Sequence, residues 1–334
     1  KEGEDLIIID HPFVGHAARH GPLVPLDEHL PAAYLANQAA NSVGASHPSY
    51  TFGGHHWALA VDAATPIAFW REDLLAKHRL TVPRTWEELV ALARAGHVEF
   101  PAAPVNCLMN FYTLCLAHGE TPFATTERVA SAATGRAALE SLREVIAACD
   151  PGSWDRNPIG SHDRVASAAN DRLAYCPLAY GYSNYGRAGY GAYPLTFGDP
   201  PSFQGQPLRT TLGGTGLAVS ALRPNRATAL AYAAFSASPE IQRTLYTHAG
   251  GQPGHRSAWL DAENNRITGN CFANTLPTLD RAFLRPRYCG YMEFQNGGGL
   301  IVHAALRGAL DPTEALNQLD TLYRQTLTQA TTLS

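Results

Sequence analysis

The chain has 334 residues, of which 45% are hydrophobic and 16% are charged, and its formal net charge is −4. This length favours two domains, each large enough to bury its own core. The weak negative charge gives no electrostatic reason to expect binding to nucleic acid or to an anionic membrane, and no apolar run is long enough for a transmembrane helix. No signal peptide is visible in the sequence.

The first element predicted along the chain is a buried β-strand. Leu6 to Ile9 is a continuous apolar run, which is typical of a strand covered on both faces in the middle of a parallel sheet. Such a strand needs neighbours, so its partners must come from far along the chain or from a segment that precedes this sequence. Residues 11–15 follow as the loop at the carboxyl end of the strand, where open α/β sheets bind ligands.

Alternating strands and helices are predicted next, and this alternation indicates an α/β fold. Residues 56–62 form a second apolar run, and residues 67–79 are predicted to form an amphipathic helix. Thr85 and Glu88 have the spacing of a capping box, in which each side chain accepts a hydrogen bond from the backbone N–H of the other. A helix is therefore expected from there to about residue 94.

The second half of the chain continues this alternation. Ser238 and Pro239 are residue types preferred at the N-cap and the first position of a helix, and Asp311 and Pro312 repeat the pattern before the final helix. No low-complexity linker separates the elements, so two lobes must be joined by short crossings. The expected elements are helices over residues 136–149, 227–235, 239–248 and 312 to about 328, and strands over residues 171–178 and 215–220.

The common enzyme signatures are missing from the sequence. It has no G-x-S-x-G nucleophile elbow, no P-loop and no dinucleotide-binding fingerprint. The glycines at positions 213, 214 and 216 precede a strand instead of opening a helix, which is the wrong context for binding phosphate. No histidine pair has the i, i+4 helical spacing with a glutamate that metalloproteases use.

Six cysteines are scattered through the chain without a C-x-x-C motif, so no zinc site and no cofactor is predicted. Most of these cysteines are expected to be buried free thiols. A disulfide between Cys271 and Cys289 is the alternative in an oxidising compartment, and the sequence does not decide between the two states.

Tyrosines alternate with small and amide residues just after the strand predicted over residues 171–178. Tyr180, Tyr182 and Tyr185 could present flat apolar faces to the C–H side of a sugar, while hydroxyl and amide groups meet its hydroxyls. Two other interpretations stay open. The segment could pack between helices, or its phenolates could hold ferric iron, for which no carboxylate or histidine partner can be placed.

Asp10 and Asp62 each end an apolar strand run. A carboxylate at such a position can accept two hydrogen bonds from neighbouring hydroxyls of a polyol, or it can cap the turn that follows. Two aspartates facing one crevice favour ligand binding. In a carbohydrate-active hydrolase the same pair would act as general acid and general base.

Two stretches of the sequence resemble a known family. They are the segment from Gly54 to Leu75 (GHHWALAVDAATPIAFWREDLL) and the segment from Val82 to Leu89 (VPRTWEEL). They are similar to family 1 extracellular solute-binding proteins of carbohydrate ABC importers, which are maltose-binding-protein-like. That family typically has an apolar strand with an acidic residue, a D-L-L helix and a P-x-T-W-x-E-L block. The similarity extends over essentially the whole chain from Asp5 onward.

The resemblance implies a two-lobed α/β periplasmic-binding-protein fold of type II, with the ligand cleft between the lobes. The first lobe would comprise residues 1–62 and 213–248, and the second lobe residues 63–212 and 249–334. Crossings between the lobes are expected near residues 62–66 and 210–215.

The resemblance also implies that this sequence lacks an opening unit. Family members normally begin with a strand, a helix and a second strand before the segment equivalent to residues 5–10. Roughly 40–50 residues, the size of such a βαβ unit, are therefore expected to be missing here.

Position by position, the resemblance implies a ligand site built from both lobes. Asp10 and His11 match the first-lobe loop that touches ligand, and Asp62 matches the acidic residue at the crossing. Asn110 and Phe111 fall where the second lobe offers an amide or an aromatic side chain. The remaining implied positions are the aromatic platform of Tyr180 and Tyr182 with Asn184, the backbone of Gly213, Gly214 and Thr215, and a late loop over residues 293–296 with Glu293 and Gln295.

The function implied is binding without chemical change. The chain would bind a small sugar or polyol, and closure of the lobes would present a composite surface to an ABC permease. It is expected to be a monomer with no cofactor and no nucleic-acid partner, in the periplasm or lipid-anchored outside the cell. A ferric-iron or other small-solute receptor and a carbohydrate-active hydrolase are the alternatives.

Overall fold

The structure, a computed structural model, describes residues 3–21 and 23–332. Residues 1, 2, 22, 333 and 334, which fall within the predicted lobe boundaries, lie outside the described residues. The strands are β1 (Leu6–Asp10), β2 (Thr51–Phe52), β3 (His55–His56), β4 (Leu59–Ala60), β5 (Pro66–Trp70), β6 (Tyr175–Tyr180), β7 (Thr196–Gly198) and β8 (Thr215–Val219). The helices are α1 (Val14–His20), α2 (Ala32–Ala40), α3 (Glu72–His78), α4 (Trp86–Arg94), α5 (Pro104–Ala117), α6 (Ala132–Ile146), α7 (Pro158–Ala166), α8 (Arg226–Ser236), α9 (Pro239–Ile241), α10 (Arg256–Trp259), α11 (Ala262–Ile267), α12 (Cys271–Asp280), α13 (Tyr291–Leu306) and α14 (Pro312–Thr332).

One three-stranded sheet has the order β1-β8-β4, with antiparallel pairing throughout. Strand β8 is the distant neighbour that β1 was expected to need. The prediction that β1 is buried on both faces of a parallel sheet is wrong. Ile7 and Ile9 pack against the cluster around Tyr50, whereas Ile8 is 66% exposed, and β1 lies at the edge of this sheet within the described residues. The unbroken apolar run did not reveal this alternation of faces.

The second three-stranded sheet, with the order β6-β5-β7, is also antiparallel. Its central strand β5 occupies the start of the segment predicted as a helix over residues 67–79, and the helix α3 begins only at Glu72. That prediction is wrong because both faces of β5 are covered. Ala68 packs into the largest core, whereas Ile67 and Phe69 pack into another cluster. A strand with apolar residues on both faces lacks the alternation of apolar and polar residues by which a strand is recognised in a sequence.

Helix α4 begins where the capping motif predicted. Thr85 is the N-cap, and its Oγ1 accepts a hydrogen bond from the N–H of Glu88 at 3.3 Å. The carboxylate of Glu88 accepts instead from the N–H of Arg84 at 2.6 Å, one residue before the expected donor. The helix ends at Arg94, as expected.

Other predicted elements are found with shifted ends. Helix α6 begins at Ala132, earlier than expected, because the Ser131 hydroxyl accepts from the N–H of Thr134. Strand β6 lies over Tyr175–Tyr180 and not over residues 171–178. Helix α8 and strand β8 match their predictions closely. Ser238 caps α9, which spans only Pro239–Ile241, and a π-helical segment over Gln242–Tyr246 continues it, so the two together cover most of the helix predicted over residues 239–248.

The six cysteines are free thiols in the structure. Cys271 is buried in the cluster around Phe197, whereas Cys289 is half-exposed beside His16. The alternative of a Cys271–Cys289 disulfide is therefore not realised.

The segments at which crossings are expected lie side by side. The N–H of Gly213 donates to the carbonyl of Ala64 at 2.7 Å, and the hydroxyls of Thr65 and Thr210 lie 2.6 Å apart. The largest core is built by α5, α6, α13 and α14. The assignment of chain segments to lobes stays a prediction. Within the described residues, no helix has the length and apolar character needed to cross a bilayer.

Candidate functional site

A cavity of about 510 Å³ lies where strand ends from both sheets meet. Its volume falls within the roughly 300–1,000 Å³ that is typical of small-molecule sites. Asp10 closes β1, Thr215 opens β8 and Tyr180 closes β6, so the sheets themselves position these groups. The cavity is lined by Asp10, Asp62, Ala64, Val105, Asn106, Met109, Pro158, Tyr180, Gly181, Tyr182, Ser183, Asn184, Gly213, Gly214, Thr215, Gly250, Gly251, Gln252, Arg285 and Gln295.

Two carboxyl groups, those of Asp10 and Asp62, face this cavity. Burial and the nearby charge of Asp10 raise the pKa of Asp62 to about 7. Burial also raises the pKa of Asp10, and the positive charge of Arg285 partly opposes that rise. No side-chain hydrogen bond or salt bridge to either carboxylate is found among the described residues. Both groups are therefore free to accept hydrogen bonds from a ligand.

Arg285 is the buried cation of the cavity wall. Its Nη1 donates to Oε1 of Gln295 at 2.7 Å, and its Nε donates to the carbonyl of Leu212 at 3.2 Å. Within the described part of the chain, no carboxylate oxygen lies within 4.0 Å of its guanidinium. The remaining N–H groups of Arg285 are thus able to donate into the cavity.

Gly214 allows the start of β8 to lie directly against the chain that follows β4. Its φ is +99°, and a Cβ at this position would meet the carbonyl oxygen of Asp62 at 2.3 Å. Its neighbour Gly213 lies against the Tyr180 ring, where a Cβ would be 2.5 Å from a ring carbon. Only glycine fits both positions, so these residues shape the cavity with their backbone.

The tyrosine segment faces the cavity in part. The ring of Tyr180 is half-buried and its hydroxyl lies 2.9 Å from Oγ1 of Thr211, whereas Tyr182 is 39% exposed. Tyr185 is buried, donates to Asp163 and does not line the cavity. Because Tyr185 lies outside the lining, the three tyrosines do not face one common site.

Asn184 has a role that the sequence did not indicate. Its Nδ2 donates to the carbonyl of Gly250 at 2.9 Å, and the N–H of Ser183 donates to Oε1 of Gln252 at 3.0 Å. The Nε2 of Gln252 in turn donates to the carbonyl of Ala63 at 2.8 Å. Residues 250–252 therefore connect the tyrosine segment to the chain beside Asp62.

The structure places most of the predicted site residues around this one cavity. They are Asp10, Asp62, Tyr180, Tyr182, Asn184, Gly213, Gly214, Thr215 and Gln295. Four others lie outside its lining, and they are His11, Asn110, Phe111 and Glu293.

His11 and Phe111 are fully buried behind the cavity wall. Burial and the nearby charges of Arg285 and Arg287 hold the pKa of His11 well below its usual range, so this ring is neutral. Phe111 belongs to the largest core. Asn110 faces a narrow void behind Met109 instead of the main cavity.

Glu293 and Gln295 are not in a loop, so the prediction of a late loop over residues 293–296 is wrong. Both lie in helix α13, where Glu293 is exposed on the outer side and Gln295 is buried against Arg285. The glycines at 297–299 are sites of close helix packing. A Cβ on Gly299 would meet the carbonyl of Pro104 at 3.0 Å.

Several cavity residues were missed by sequence reasoning. Asn106, one helical turn before Asn110, lines the cavity. The Nδ2 of Asn106 is buried without a hydrogen-bond partner among the described residues. Helix α5 is buried along ten consecutive residues, so no polar stripe indicated which asparagine faces the cavity. Arg285 and Gln252 lie in irregular segments, where no periodicity could have singled them out.

A second concavity, of about 830 Å³, lies on the outer surface beside α7. Two of its charged groups are paired with each other, since Arg164 contacts Asp150 at 3.1 Å, and Arg164 also lies 3.3 Å from the buried carboxylate of Glu99. It lies away from the meeting point of the strand ends, so the cavity beside Asp10 and Asp62 is the better candidate for a ligand site.

Comparisons with known proteins agree with this geometry. The family model for a bacterial extracellular solute-binding protein matches residues 1–265. The maltose-bound MalE3 protein of T. maritima has a TM-score of 0.83 and 18% identity, over 97% of this chain and 85% of that chain. A solute-binding protein of an ABC transporter from Agrobacterium radiobacter K84, in complex with ribitol, has a TM-score of 0.80 and 19% identity, over 97% and 85% of the two chains.

A third similar structure is the ABC-transporter solute-binding protein of Thermotoga lettingae TMO bound to α-D-tagatose. It has a TM-score of 0.80 and 19% identity, over 98% of this chain and 86% of that chain. The family and these three structures are of solute-binding proteins and not of enzymes. The similarity to these structures confirms the two-lobed fold that the sequence resemblance implies. This chain therefore belongs to the family of bacterial extracellular solute-binding proteins.

Proposed function

We propose that this protein binds a small sugar or polyol in the cavity between its two three-stranded sheets and delivers it to the permease of an ABC importer. The observation that carries the proposal is the pair of cavity-facing carboxyl groups, Asp10 and Asp62, that no side chain of the described residues satisfies. A polyol offers adjacent hydroxyls that can donate to such oxygens.

The other cavity groups complement a neutral polyhydroxyl ligand. Arg285 and the unpartnered Nδ2 of Asn106 are donors to sugar oxygens. The exposed ring of Tyr182 offers an apolar face to the C–H side of a sugar ring. The solved structures of similar fold hold maltose, ribitol and α-D-tagatose, which are ligands of this chemical class.

A thermal-shift screen with maltose, ribitol, tagatose and other sugars and polyols tests the proposal. A ligand that binds only the native cavity raises the melting temperature in a concentration-dependent way. Asp62→Asn should reduce the shift strongly at the same ligand concentration, because its affinity for the ligand is expected to be lower. Asp171→Asn is the matched control, because the Asp171 side chain is 82% exposed and lies outside the cavity lining.

A panel in which no sugar or polyol shifts the melting temperature contradicts the proposed ligand class. Turnover of a chromogenic glycoside that is lost in Asp62→Asn would support the hydrolase alternative instead. Delivery is tested with the importer's permease in proteoliposomes, where the liganded chain should stimulate ATP hydrolysis and the ligand-free chain should not. We further propose that the protein is a monomer and that it lies in the periplasm or is lipid-anchored outside the cell. Light scattering would measure its mass in solution directly.

A further inference from the structure

Two histidines and a cysteine lie together on the surface, and none of them lines the cavity. His16 and His20 are in α1, and Cys289 is in the turn before α13. The Sγ of Cys289 lies 3.7 Å from Nδ1 of His16, and one ligand atom from each of the three residues lies within 4.8 Å of the others. Within the described part of the chain, this is the only such group of three.

The helical spacing explains the first half of the cluster. His16 and His20 are four residues apart, so both side chains project from one face of α1, and their ring centroids are 5.2 Å apart. Both side chains are exposed.

Close packing of α1 holds Cys289 beside this face. Gly15 is buried, and a Cβ on it would lie 1.7 Å from the carbonyl oxygen of Arg287, so only glycine lets the helix approach this segment. Nη1 of Arg287 donates to the carbonyls of Pro48, Ser49 and Thr51 at 2.7–2.9 Å. The backbone just before Cys289 is thus fixed on the same side of the molecule as α1.

We propose that His16, His20 and Cys289 form a binding site for one zinc ion. Imidazole and thiolate are the ligand types that zinc prefers, and three protein ligands leave the fourth tetrahedral position to water. Zn–N distances of about 2.0–2.1 Å and Zn–S distances of about 2.3 Å place the ligand atoms of a tetrahedral site roughly 3.3–3.6 Å apart. The 3.7 Å between Sγ and Nδ1 is already close to that spacing.

The ion would join elements that pack on different cores. Ala17 of α1 packs on the cluster around Tyr50 beside the first sheet, whereas Tyr291 and Phe294 of α13 belong to the largest core. Zinc therefore ties α1 to the start of α13. Because zinc binds the three ligands only when the chain is folded, it raises the stability of the protein.

Sequence reasoning missed this site because its ligands are not close in sequence. His16 and Cys289 are 273 positions apart, whereas the zinc motifs that can be recognised in a sequence have short spacings between their ligands. None of the three residues lines the sugar cavity, so the inference does not depend on the proposed function.

Titration with cobalt, the usual spectroscopic substitute for zinc, tests the proposal on the reduced, metal-free chain. We expect one equivalent of Co²⁺ to produce a thiolate-to-cobalt charge-transfer band and the visible absorption of a tetrahedral ion, both displaced by Zn²⁺. Cys289→Ser should abolish the charge-transfer band. Cys289→Ser and His20→Ala should each lower zinc affinity by at least about 100-fold, which exceeds the usual effect of removing a group that only supports a ligand.

Two control variants separate this site from adventitious binding. The rings of His78 and His97 are 5.0 Å apart, much as those of His16 and His20 are, but they belong to no group of three ligands in the described chain. His78→Ala and Cys149→Ser should therefore leave the cobalt spectrum and zinc affinity unchanged.

A charge-transfer band that persists in Cys289→Ser, or zinc affinity that is equal in wild type and His20→Ala, would overturn the proposal and indicate adventitious binding only. Zinc should also raise the melting temperature of the wild type but not that of Cys289→Ser. An equal rise in both would likewise count against the site.

Discussion

Asp62 and Glu99 are both acidic side chains removed from bulk water, but the structure surrounds them differently. Glu99 is fully buried, and its carboxylate accepts from Arg156 at 2.7 Å and from Ser161 at 3.0 Å, with Arg164 at 3.3 Å. Asp62 faces a cavity with another carboxylate nearby and no side-chain donor among the described residues.

The difference between these two regions separates a structural charge from a ligand-facing one. A buried charge is costly unless hydrogen bonds and an opposite charge compensate it. Around Glu99 the chain supplies that compensation itself. Around Asp62 the compensation is left to a proton or to a ligand, which is what a binding site requires.

The largest effect is expected when the Glu99 cluster is broken. Arg156→Met keeps most of the aliphatic stem but leaves the buried carboxylate with the more distant Arg164. We expect a loss of about 2–4 kcal/mol in the free energy of unfolding. This is somewhat less than the usual cost of breaking a buried ion pair, because Arg164 still compensates the charge of Glu99. Urea denaturation measures this loss, and the affinity of the folded chain for sugar should not change. A loss of affinity without a loss of stability would reverse the roles given to the two regions.

The second largest effect is a gain in stability on replacing Asp62, and its size depends on pH. The pKa of Asp62 is raised from 3.8 to about 7 in the folded chain, so between these values the folded state holds a proton that the unfolded state releases. Stability therefore falls as the pH rises through this window. The charge of Asp10 contributes to the raised pKa of Asp62, and the charge of Asp62 in turn raises the pKa values of Tyr50, Tyr182 and Tyr246.

Asp62→Asn removes that dependence. It should leave stability unchanged at about pH 4 and raise it by about 2–3 kcal/mol at about pH 8, after allowance for partial exposure of the carboxylate. Urea unfolding of wild type and variant at both pH values measures the difference, with Asp171→Asn as a control that should show none. Equal stability of wild type and Asp62→Asn at about pH 8 would contradict the claim that Asp62 is left uncompensated.

A smaller change is expected from the aromatic wall of the cavity. Tyr182→Ala should weaken sugar binding by about 1–2 kcal/mol, because it removes apolar contact area without breaking a hydrogen bond of the fold. Calorimetric titration measures the change. Tyr232→Ala is the matched control, since Tyr232 is 56% exposed on α8 and does not line the cavity. Unchanged affinity in Tyr182→Ala would remove this ring from the site.

The smallest effect concerns one neutral donor to Glu99. Ser161→Ala should lower the free energy of unfolding by about 1 kcal/mol, which is less than the roughly 1.5–3 kcal/mol usual for a hydrogen bond to a charged group because two arginines also contact this carboxylate. The arginines still compensate the carboxylate in this variant. A loss as large as that in Arg156→Met would show that hydrogen bonding, and not charge, dominates the compensation of Glu99.

Much of the fold could be predicted from local signals. The Thr85 cap and the Ser238 cap located helix starts because capping depends on a few neighbouring residues. Strand β5 was mistaken for helix because both of its faces are buried by residues distant in sequence. Because every position in such a run is apolar, its sequence pattern does not show whether it is a strand buried on both faces or part of a helix.

The candidate site was predictable where residues end strands. Asp10 and Asp62 follow apolar runs, and the ends of those strands meet at the cavity. Asn110 was predicted in place of Asn106, which precedes it by one helical turn and lines the cavity, and Phe111 belongs to the core. The sequence could not distinguish these positions, since α5 is apolar almost all round. Arg285 could not be found, because only tertiary packing brings its irregular segment beside Gln295 and Leu212.

Calorimetric titration of one sugar or polyol, the best member of the panel, into three proteins tests the central claim most directly. The proteins are the wild type, Asp62→Asn and Arg156→Met, all at a temperature where each is folded. We expect one site per chain, an affinity lower by roughly 10- to 100-fold in Asp62→Asn because charge-assisted hydrogen bonds are lost, and wild-type affinity in Arg156→Met. Equal affinity of the wild type and Asp62→Asn would contradict it.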